Sequence, residues 1–185
     1  MIEGERIILR EIEEEDLDLI VKWRNDPEIL RWLFSYLPLN KVKQLKWYEK
    51  YLNDDTQQTF IIELKEEETP IGTVGLTNID YKNQRADLTI IIGEKGYWGK
   101  GLGEESLNLL VRFAFNEMNL RKIKALVFSD NDKAIKLYEE CGFKEEGIFR
   151  EEILKKGKFR DVVVMSIFRE KKEMKKDKID GGEIK

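Results

Sequence analysis

The sequence predicts a single α/β domain. A chain of 185 residues is long enough for one well-packed core, and no stretch is rich enough in Pro, Gly or Ser to divide it. In its central part, short apolar segments typical of strands alternate with segments whose apolar residues recur at helical spacing. Ligands of α/β domains bind at strand ends, so we expect the functional site where a strand leads into a helix.

The first third of the chain is predicted to form one strand and three helices. Residues 6–11 form the strand, and the acidic residues 14–16 favour the start of the first helix. Pro27 begins a second, short helix that runs to Phe34, and Asn40 caps a third. The stripes that should face the core are Leu17, Ile20, Val21 and Arg24 in the first helix and Val42, Leu45, Tyr48 and Leu52 in the third.

The remaining two thirds are predicted to be mainly strands. Three strands come first, at 59–65, 71–77 and 86–93, and a helix follows whose inward residues are Leu107, Leu110, Val111, Ala114 and Met118. Next come a strand at 122–128 and a helix at 133–141 that ends at Gly142. A hairpin of 143–154 with 159–168 completes the order. The last residues are charged and poor in apolar side chains. We therefore expect a domain of residues 1–170 and a flexible tail of residues 171–185.

Composition excludes several classes of site. The chain has no histidine, which removes Ser-His and Cys-His nucleophilic pairs and every metal site that needs imidazole. Its one cysteine, Cys141, excludes an intramolecular disulfide and a multi-thiolate zinc site. The net charge of −4 does not favour nucleic-acid binding. Neither a signal peptide nor an apolar run of membrane-spanning length is present, so we expect a cytoplasmic protein without metal, nucleic-acid or membrane partners.

A glycine-rich segment, GYWGKGLGEE at residues 96–105, lies between a predicted strand and a predicted helix. Glycine at alternate positions lets several backbone N–H groups converge next to the positive end of a helix, which suits a phosphate. Neither the dinucleotide pattern nor the Walker pattern fits the spacing. The segment by itself is therefore either a tight turn or a phosphate cradle, and in a cradle Glu104 and Glu105 must point away from the anion.

The second informative stretch is SDNDKAIKLYEECGF at residues 129–143. Asp130 or Asn131 can cap its helix, on which Tyr138 and Cys141 share a face. Tyr138 is either a core aromatic or a proton donor, and periodicity does not separate these alternatives. Cys141 is predicted to be a small buried hydrophobe, because no histidine is present to activate it.

Together, YWGKGLG and the pattern N-x-x-A-I-x-L-Y-E-x-x-G-F resemble the GNAT superfamily of acetyl-CoA-dependent N-acetyltransferases, in the branch of the ribosomal-protein N-terminal alanine and spermidine N-acetyltransferases. The resemblance covers about residues 2–170. It implies a central mixed, mostly antiparallel twisted sheet with splayed middle strands, flanked by helices. It also implies acetyl-CoA as co-substrate and no metal, and a homodimer as an assembly that is common in similar enzymes.

The resemblance also assigns site residues. The cradle for the CoA diphosphate would be Trp98, Gly99, Lys100, Gly101, Leu102, Gly103 and Glu104, with Trp98 in place of the family's Gln or Arg. Ile91 and Ile92 would offer backbone groups to the pantetheine arm, and Asn131 would lie near that arm. Tyr138 would protonate the leaving thiolate after an amine attacks the thioester directly. Asp80, Asp87 and Glu94 are candidates for the general base only by proximity, and each is more typical of a solvated surface charge.

The acceptor is left open by the sequence. Residues 83–168 are similar to spermidine N-acetyltransferases, but Ser35 and Tyr36 stand after Phe34 where those enzymes carry two glutamates. The run Trp23 to Asp26 with Trp32 resembles acetyltransferases of ribosomal proteins and of nucleotide amino sugars, although core packing explains both tryptophans equally simply. We expect a protein N-terminus or a small amine, with a polyamine, a nucleotide amino sugar or a non-catalytic CoA sensor as alternatives, and Phe34, Ser35 and Tyr36 at the acceptor site.

Overall fold

The computed structural model describes residues 1–170, so the tail predicted for residues 171–185 lies outside them. The strands are β1 (Ile2–Glu3), β2 (Ile7–Glu11), β3 (Gln58–Leu64), β4 (Thr69–Asp80), β5 (Arg85–Ile92), β6 (Lys122–Phe128), β7 (Lys144–Lys155) and β8 (Lys158–Phe168). The α-helices are α1 (Leu17–Asn25), α2 (Pro27–Leu30), α3 (Lys41–Tyr51), α4 (Leu102–Asn116) and α5 (Asp132–Glu140). None of these helices is both long and apolar enough to cross a membrane.

All eight strands form one sheet in the order β1-β2-β3-β4-β5-β6-β8-β7. Every neighbouring pair is antiparallel except β5 with β6, which is parallel. That parallel pairing joins only residues 85–88 to residues 122–125, although β5 continues to Ile92 and β6 to Phe128. The two middle strands therefore separate, which confirms the predicted mixed, mostly antiparallel sheet with splayed middle strands.

Side chains on the two faces of the sheet belong to two different cores. On the face covered by α4 and α5, Leu88 and Leu107 belong to the larger core, with Ile90 packed against it. On the face covered by α1 to α3, Ile61 packs with Trp23, and Ile91 joins them. Because neighbouring residues of a strand point to opposite faces, β5 contributes alternately to both cores. An opening at the edge of β5 is thus bordered by side chains from both cores.

Trp23 is a packing residue, as its position in the first helix suggested. Its side chain is 2% exposed and lies against the backbone of Gly93, where a Cβ atom would overlap the indole ring. Its Nε1–H donates to Glu94 Oε1 over 2.8 Å. The aromatic ring therefore fixes α1 to the end of β5.

The predicted inward face of α3 is confirmed for Leu45 and Tyr48, which pack against the smaller core, and is wrong for the other two residues. Val42 and Leu52 are both 62% exposed, whereas Gln44 is 2% and Tyr51 8% exposed. The Tyr51 hydroxyl donates to the Thr59 carbonyl on β3 over 3.1 Å, so the helix turns a partly polar face to the sheet. The apolar pattern misplaces Val42 and Leu52 because α3 buries Gln44 and the Tyr51 side chain in their stead.

The other predicted elements are found with small shifts in their ends. The Asn40 side chain accepts from the Lys43 N–H over 2.8 Å, which confirms the predicted cap of α3. The second helix is shorter than predicted and ends at Leu30. The two-residue strand β1 was not predicted, because so short a segment carries no periodicity.

The β7–β8 hairpin is tied to the segment after α2 by Lys155. This side chain is buried, and its ammonium group donates to the carbonyls of Leu30, Leu33 and Ser35 over 2.9, 2.7 and 2.6 Å. An ammonium group has three protons, so each carbonyl receives one. A single cation therefore holds residues 30–35 in place.

Replacing Lys155 by Met keeps most of the apolar stem and removes the three donors. We expect the free energy of unfolding to fall by about 3 kcal/mol, because three partly buried carbonyls lose a charged partner. Urea unfolding measures this change, and Lys158→Met, at an exposed position of the same hairpin, is the control. Equal stability of the two variants would show that the three bonds contribute nothing net.

Candidate active site

A cleft of about 1410 Å³ opens where β5 and β6 separate. Its walls include Leu126 and Val127 of β6, the glycine-rich segment before α4, and Tyr138 of α5. On the opposite face it continues between α1, α3 and the floor of the sheet. The cleft therefore passes through the sheet from one face to the other.

The glycine-rich segment forms a row of free backbone donors. Gly99 and Gly101 have φ angles of +72° and +77°, a left-handed conformation that glycine adopts without steric cost. Among residues 1–170, the N–H groups of residues 99–104 have no hydrogen-bond acceptor, and the last three belong to the first turn of α4. Converging N–H groups at the start of a 15-residue helix form an anion site. The geometry thus favours the cradle over a simple turn.

Arg6 and Trp98 hold this row in place. The Arg6 Nη1 donates to the Lys100 carbonyl over 2.8 Å, and its Nε donates to Glu105 Oε2 over 2.9 Å. The Trp98 indole donates to the Ile92 carbonyl over 2.8 Å. Burial raises the pKa of Glu105, but the Arg6 and Ile7 N–H groups and the Arg6 guanidinium lower it overall. The carboxylate of Glu105 therefore faces β2, away from the cradle, as an anion site requires.

The edge of β5 presents Ile90 and Ile92 to the cleft rather than Ile91. The Gly93 N–H donates to the Ile71 carbonyl of β4 over 2.7 Å. Since peptide groups alternate along an antiparallel ladder, those of Ile91 also face β4, and those of Ile90 and Ile92 face the gap. The prediction for Ile92 is kept, and Ile90 replaces Ile91 as the second backbone partner.

Tyr138 lies in the wall of the cleft with its hydroxyl unused. The side chain is 6% exposed, and the hydroxyl makes no hydrogen bond within residues 1–170. Burial, with a smaller contribution from Cys141, raises its pKa well above the usual value for tyrosine. Burial therefore keeps the hydroxyl in its protonated form, as a free hydrogen-bond donor in the wall of the cleft.

Asn131 and Cys141 flank that tyrosine on α5. The Asn131 Oδ1 accepts from the Ala134 N–H over 3.3 Å, so this side chain caps the helix, and it also lines the cleft. Cys141 is 8% exposed, and burial raises the pKa of its thiol to about 11, with smaller effects from Glu104 and Glu140. A thiol of this kind is a packing group rather than a nucleophile.

The three carboxylates considered as a general base are all paired. Asn83 and Arg85 hold the pKa of Asp80 below its usual range, and Lys22 and Trp23 do the same for Glu94. Asp87 accepts from Asn78 over 2.9 Å and is 2.9 Å from Lys124. None is poised to accept a proton. In the described part of the chain, no group of three or more Cys, Asp or Glu side chains is arranged to hold a metal ion.

The residues predicted for the acceptor are only partly in the cleft. Phe34 lines it and packs edge-on against Phe128 with ring centres 5.0 Å apart. Ser35 lines it, and its carbonyl accepts the hydrogen bond from Lys155 described above. Tyr36 is 74% exposed and is not part of the lining. The structure adds Arg24 and Gln44, which sequence reasoning did not place in the site.

Comparison with known proteins agrees with this geometry. Residues 6–144 match the family described as acetyltransferase (GNAT) domain. A spermidine N(1)-acetyltransferase of Vibrio cholerae is 34% identical over 90% of this chain and 95% of its own length. The crystal structure of a V. cholerae spermidine N-acetyltransferase with CoA and spermine has a TM-score of 0.85, at 33% identity over 89% of this chain and 96% of its own. A dodecameric structure of the V. cholerae enzyme in an intermediate state scores 0.79, at 32% identity over 89% and 95%.

Gly101→Ala should weaken the binding of acetyl-CoA. An L-residue at a φ of +77° is strained, and the new Cβ would lie 3.3 Å from Arg6 Nη2, so the row of donors must shift. We expect the dissociation constant, measured by calorimetry, to rise about tenfold. Gly96→Ala is the control, because Gly96 lies outside the row and a Cβ there meets no atom within 4 Å. Unchanged affinity in Gly101→Ala would contradict the assignment of the cradle.

Proposed function

The chain belongs to the acetyltransferase (GNAT) family, and we propose that it transfers the acetyl group of acetyl-CoA to a primary amine. The observation that carries the proposal is the continuous cleft between β5 and β6, with an anion cradle on one face of the sheet and Tyr138 in its wall. The amine would enter from the α1–α3 face. A thioester supplies an acetyl group that a neutral amine attacks directly, so no acyl-enzyme is needed.

The residues present fit a CoA group. The free N–H groups of residues 99–104 and the start of α4 would bind its diphosphate. Lys100 is exposed beside them and adds a positive charge. The free N–H and carbonyl of Ile90 and the free N–H of Ile92 would hydrogen-bond the pantetheine amides, as an added strand would. Asn131, in the cleft wall, would lie near the same arm.

Two groups of the chain would assist the transfer. A backbone N–H on the edge of β5, at Ile90 or Ile92, would stabilise the negative charge on the acetyl oxygen as the carbon–nitrogen bond forms. Tyr138 would give its proton to the sulfur as the carbon–sulfur bond breaks, and solvent would restore that proton. The proton of the attacking ammonium group would leave through water, since Asp80, Asp87 and Glu94 are all engaged in ion pairs.

Spermidine is the first acceptor to test, because it is the substrate named for two of the similar proteins. The absence of glutamates at Ser35 and Tyr36 weakens that assignment. A protein N-terminus and a nucleotide amino sugar are the other candidates. A non-catalytic CoA sensor is disfavoured, because such a protein needs neither an acceptor-side opening nor a free tyrosine hydroxyl in the cleft.

Thiol release from acetyl-CoA tests the function directly. We expect release with at least one amine from a panel of spermidine, an N-terminal peptide, amino acids and nucleotide amino sugars. Tyr138→Phe should lower kcat about 100-fold while leaving the dissociation constant of acetyl-CoA within about twofold, because the hydroxyl acts only on the departing sulfur.

A variant that retained wild-type turnover would exclude Tyr138 as the acid. If wild-type protein bound acetyl-CoA but released no thiol with any amine, the non-catalytic CoA sensor would become the preferred function. Binding is detected independently by thermal shift, since a ligand at a hundred times its dissociation constant stabilises by about 2.7 kcal/mol.

We also propose that the chain self-associates through the β7–β8 hairpin. Leu154 and Phe159 pair across its tip and are 55% and 61% exposed, and Phe149 is 48% exposed. Exposed apolar side chains clustered on an edge hairpin favour burial against another copy. Light scattering should give a multiple of the 21.9 kDa chain, and Phe159→Lys should lower it. A wild-type mass of one chain would overturn this proposal.

A further inference from the structure

We call the part of the cleft on the α1–α3 face the acceptor lobe. Its walls are Arg24 of α1 and Gln44 and Trp47 of α3, and its floor includes Thr59 and Thr73 of the sheet. These residues lie on the opposite face of the sheet from the cradle and Tyr138. A CoA molecule bound at the cradle therefore leaves the lobe free. A molecule in the lobe reaches the gap between β5 and β6 from the opposite side of the sheet.

Gln44 places an unused amide in this lobe. The side chain is 2% exposed, yet its amide forms no hydrogen bond with any part of residues 1–170. Within residues 1–170, Arg160 Nε is the sole side-chain nitrogen or oxygen that is both fully enclosed and without a hydrogen-bond partner. The amide atoms of Gln44 also have no partner, so they are not fully enclosed. The polar atoms of Gln44 therefore open onto the cavity. Buried amides are normally hydrogen-bonded, so the free amide of Gln44 is suited to hydrogen-bond a ligand in the cavity.

Arg24 adds an unused positive charge. Its guanidinium is partly buried and lines the lobe, but it forms no ion pair or hydrogen bond with residues 1–170. Burial lowers its pKa, which expresses the cost of a charge without a partner. The exposed Arg31, stacked on Trp32 with its Cζ 4.8 Å from the ring centre, is a second cation at the mouth.

The acids at this end of the cleft are all neutralised. Glu28 accepts from Lys95 over 2.6 Å, and Asp87 is 2.9 Å from Lys124. Asp130 is paired with Arg160. These three carboxylates thus each have a cationic partner, whereas Arg24 has no anionic one within residues 1–170. The uncompensated charge of the lobe is positive.

We infer that the acceptor is a primary amine that also carries an anionic group, a carboxylate or a phosphate, held by Arg24 and Gln44. A guanidinium forms paired hydrogen bonds to either anion, and the amide N–H₂ of Gln44 donates to the same oxygens. Both residues determine specificity and do not touch the reacting carbonyl. A polyamine instead brings ammonium groups next to an unpaired guanidinium, which is repulsive. The inference rests on the proposed function and names its substrate class.

Matched amines test the inference through the ratio of their kcat/KM values. One pair is 4-aminobutyrate and butylamine, which differ by the carboxylate, and the other is phosphoethanolamine and ethanolamine, which differ by the phosphate. We expect the wild type to favour the anionic member of at least one pair about 10- to 100-fold. The pair that shows the preference identifies the anion.

Variants assign that preference to the two side chains. Arg24→Gln should reduce the ratio to about one by raising KM for the anionic amine, and Arg24→Lys should restore part of it. Gln44→Leu should lower the ratio by a smaller factor. Lys46→Gln removes an exposed charge two residues from Gln44 and should change nothing. Acetyl-CoA affinity should be equal in all four variants, which also shows that each is folded.

Three results overturn the inference. One is a wild-type preference for the neutral amine in both pairs, and another is a preference that survives in Arg24→Gln. The third is acetylation of spermidine, or of another amine in the panel, without acetylation of either anionic probe, and this result leaves the proposed function intact. Absence of thiol release with every amine overturns the proposed function and the inference together.

Discussion

The short pairing between β5 and β6 is the constraint on which the site depends. Four residues of each strand pair, and beyond them both strands continue with one unpaired edge. Unpaired backbone groups inside a protein are unfavourable, so the groups at this gap need water or a ligand as partners. The Trp98 indole already uses the Ile92 carbonyl, and the remaining edge groups stay available.

The walls of the gap are held by cations acting on backbone oxygens. Arg6 fixes the glycine-rich segment through the Lys100 carbonyl, and Lys155 fixes the loop after α2 through three carbonyls. Charged hydrogen bonds of this kind are stronger than neutral ones, so they can hold segments that have no regular secondary structure. The two segments of the site without regular secondary structure are thereby tied to the rest of the domain.

Similarity of fold does not settle the acceptor. This chain shares about a third of its residues with spermidine N-acetyltransferases over most of its length. The shared part includes the strand-to-helix cradle, whose chemistry depends on backbone geometry. The acceptor lobe depends on individual side chains, and here those are a guanidinium and an amide rather than free carboxylates. One fold can serve different acceptors where such side chains differ.

The resemblance to the GNAT superfamily linked the glycine-rich turn to the helix of Asn131 and Tyr138, whereas the sequence by itself determined the order of the elements and the turn. Those features are local, because periodicity and glycine geometry act over a few residues. Only the tertiary structure decided which peptide groups of β5 face the gap, replacing Ile91 by Ile90, and which face of α3 is buried. It also placed Arg24 and Gln44 in one cavity, although 20 residues separate them in the chain. Burial and the presence of a charge partner are set by contacts between distant segments, which the spacing of residues along a chain does not encode.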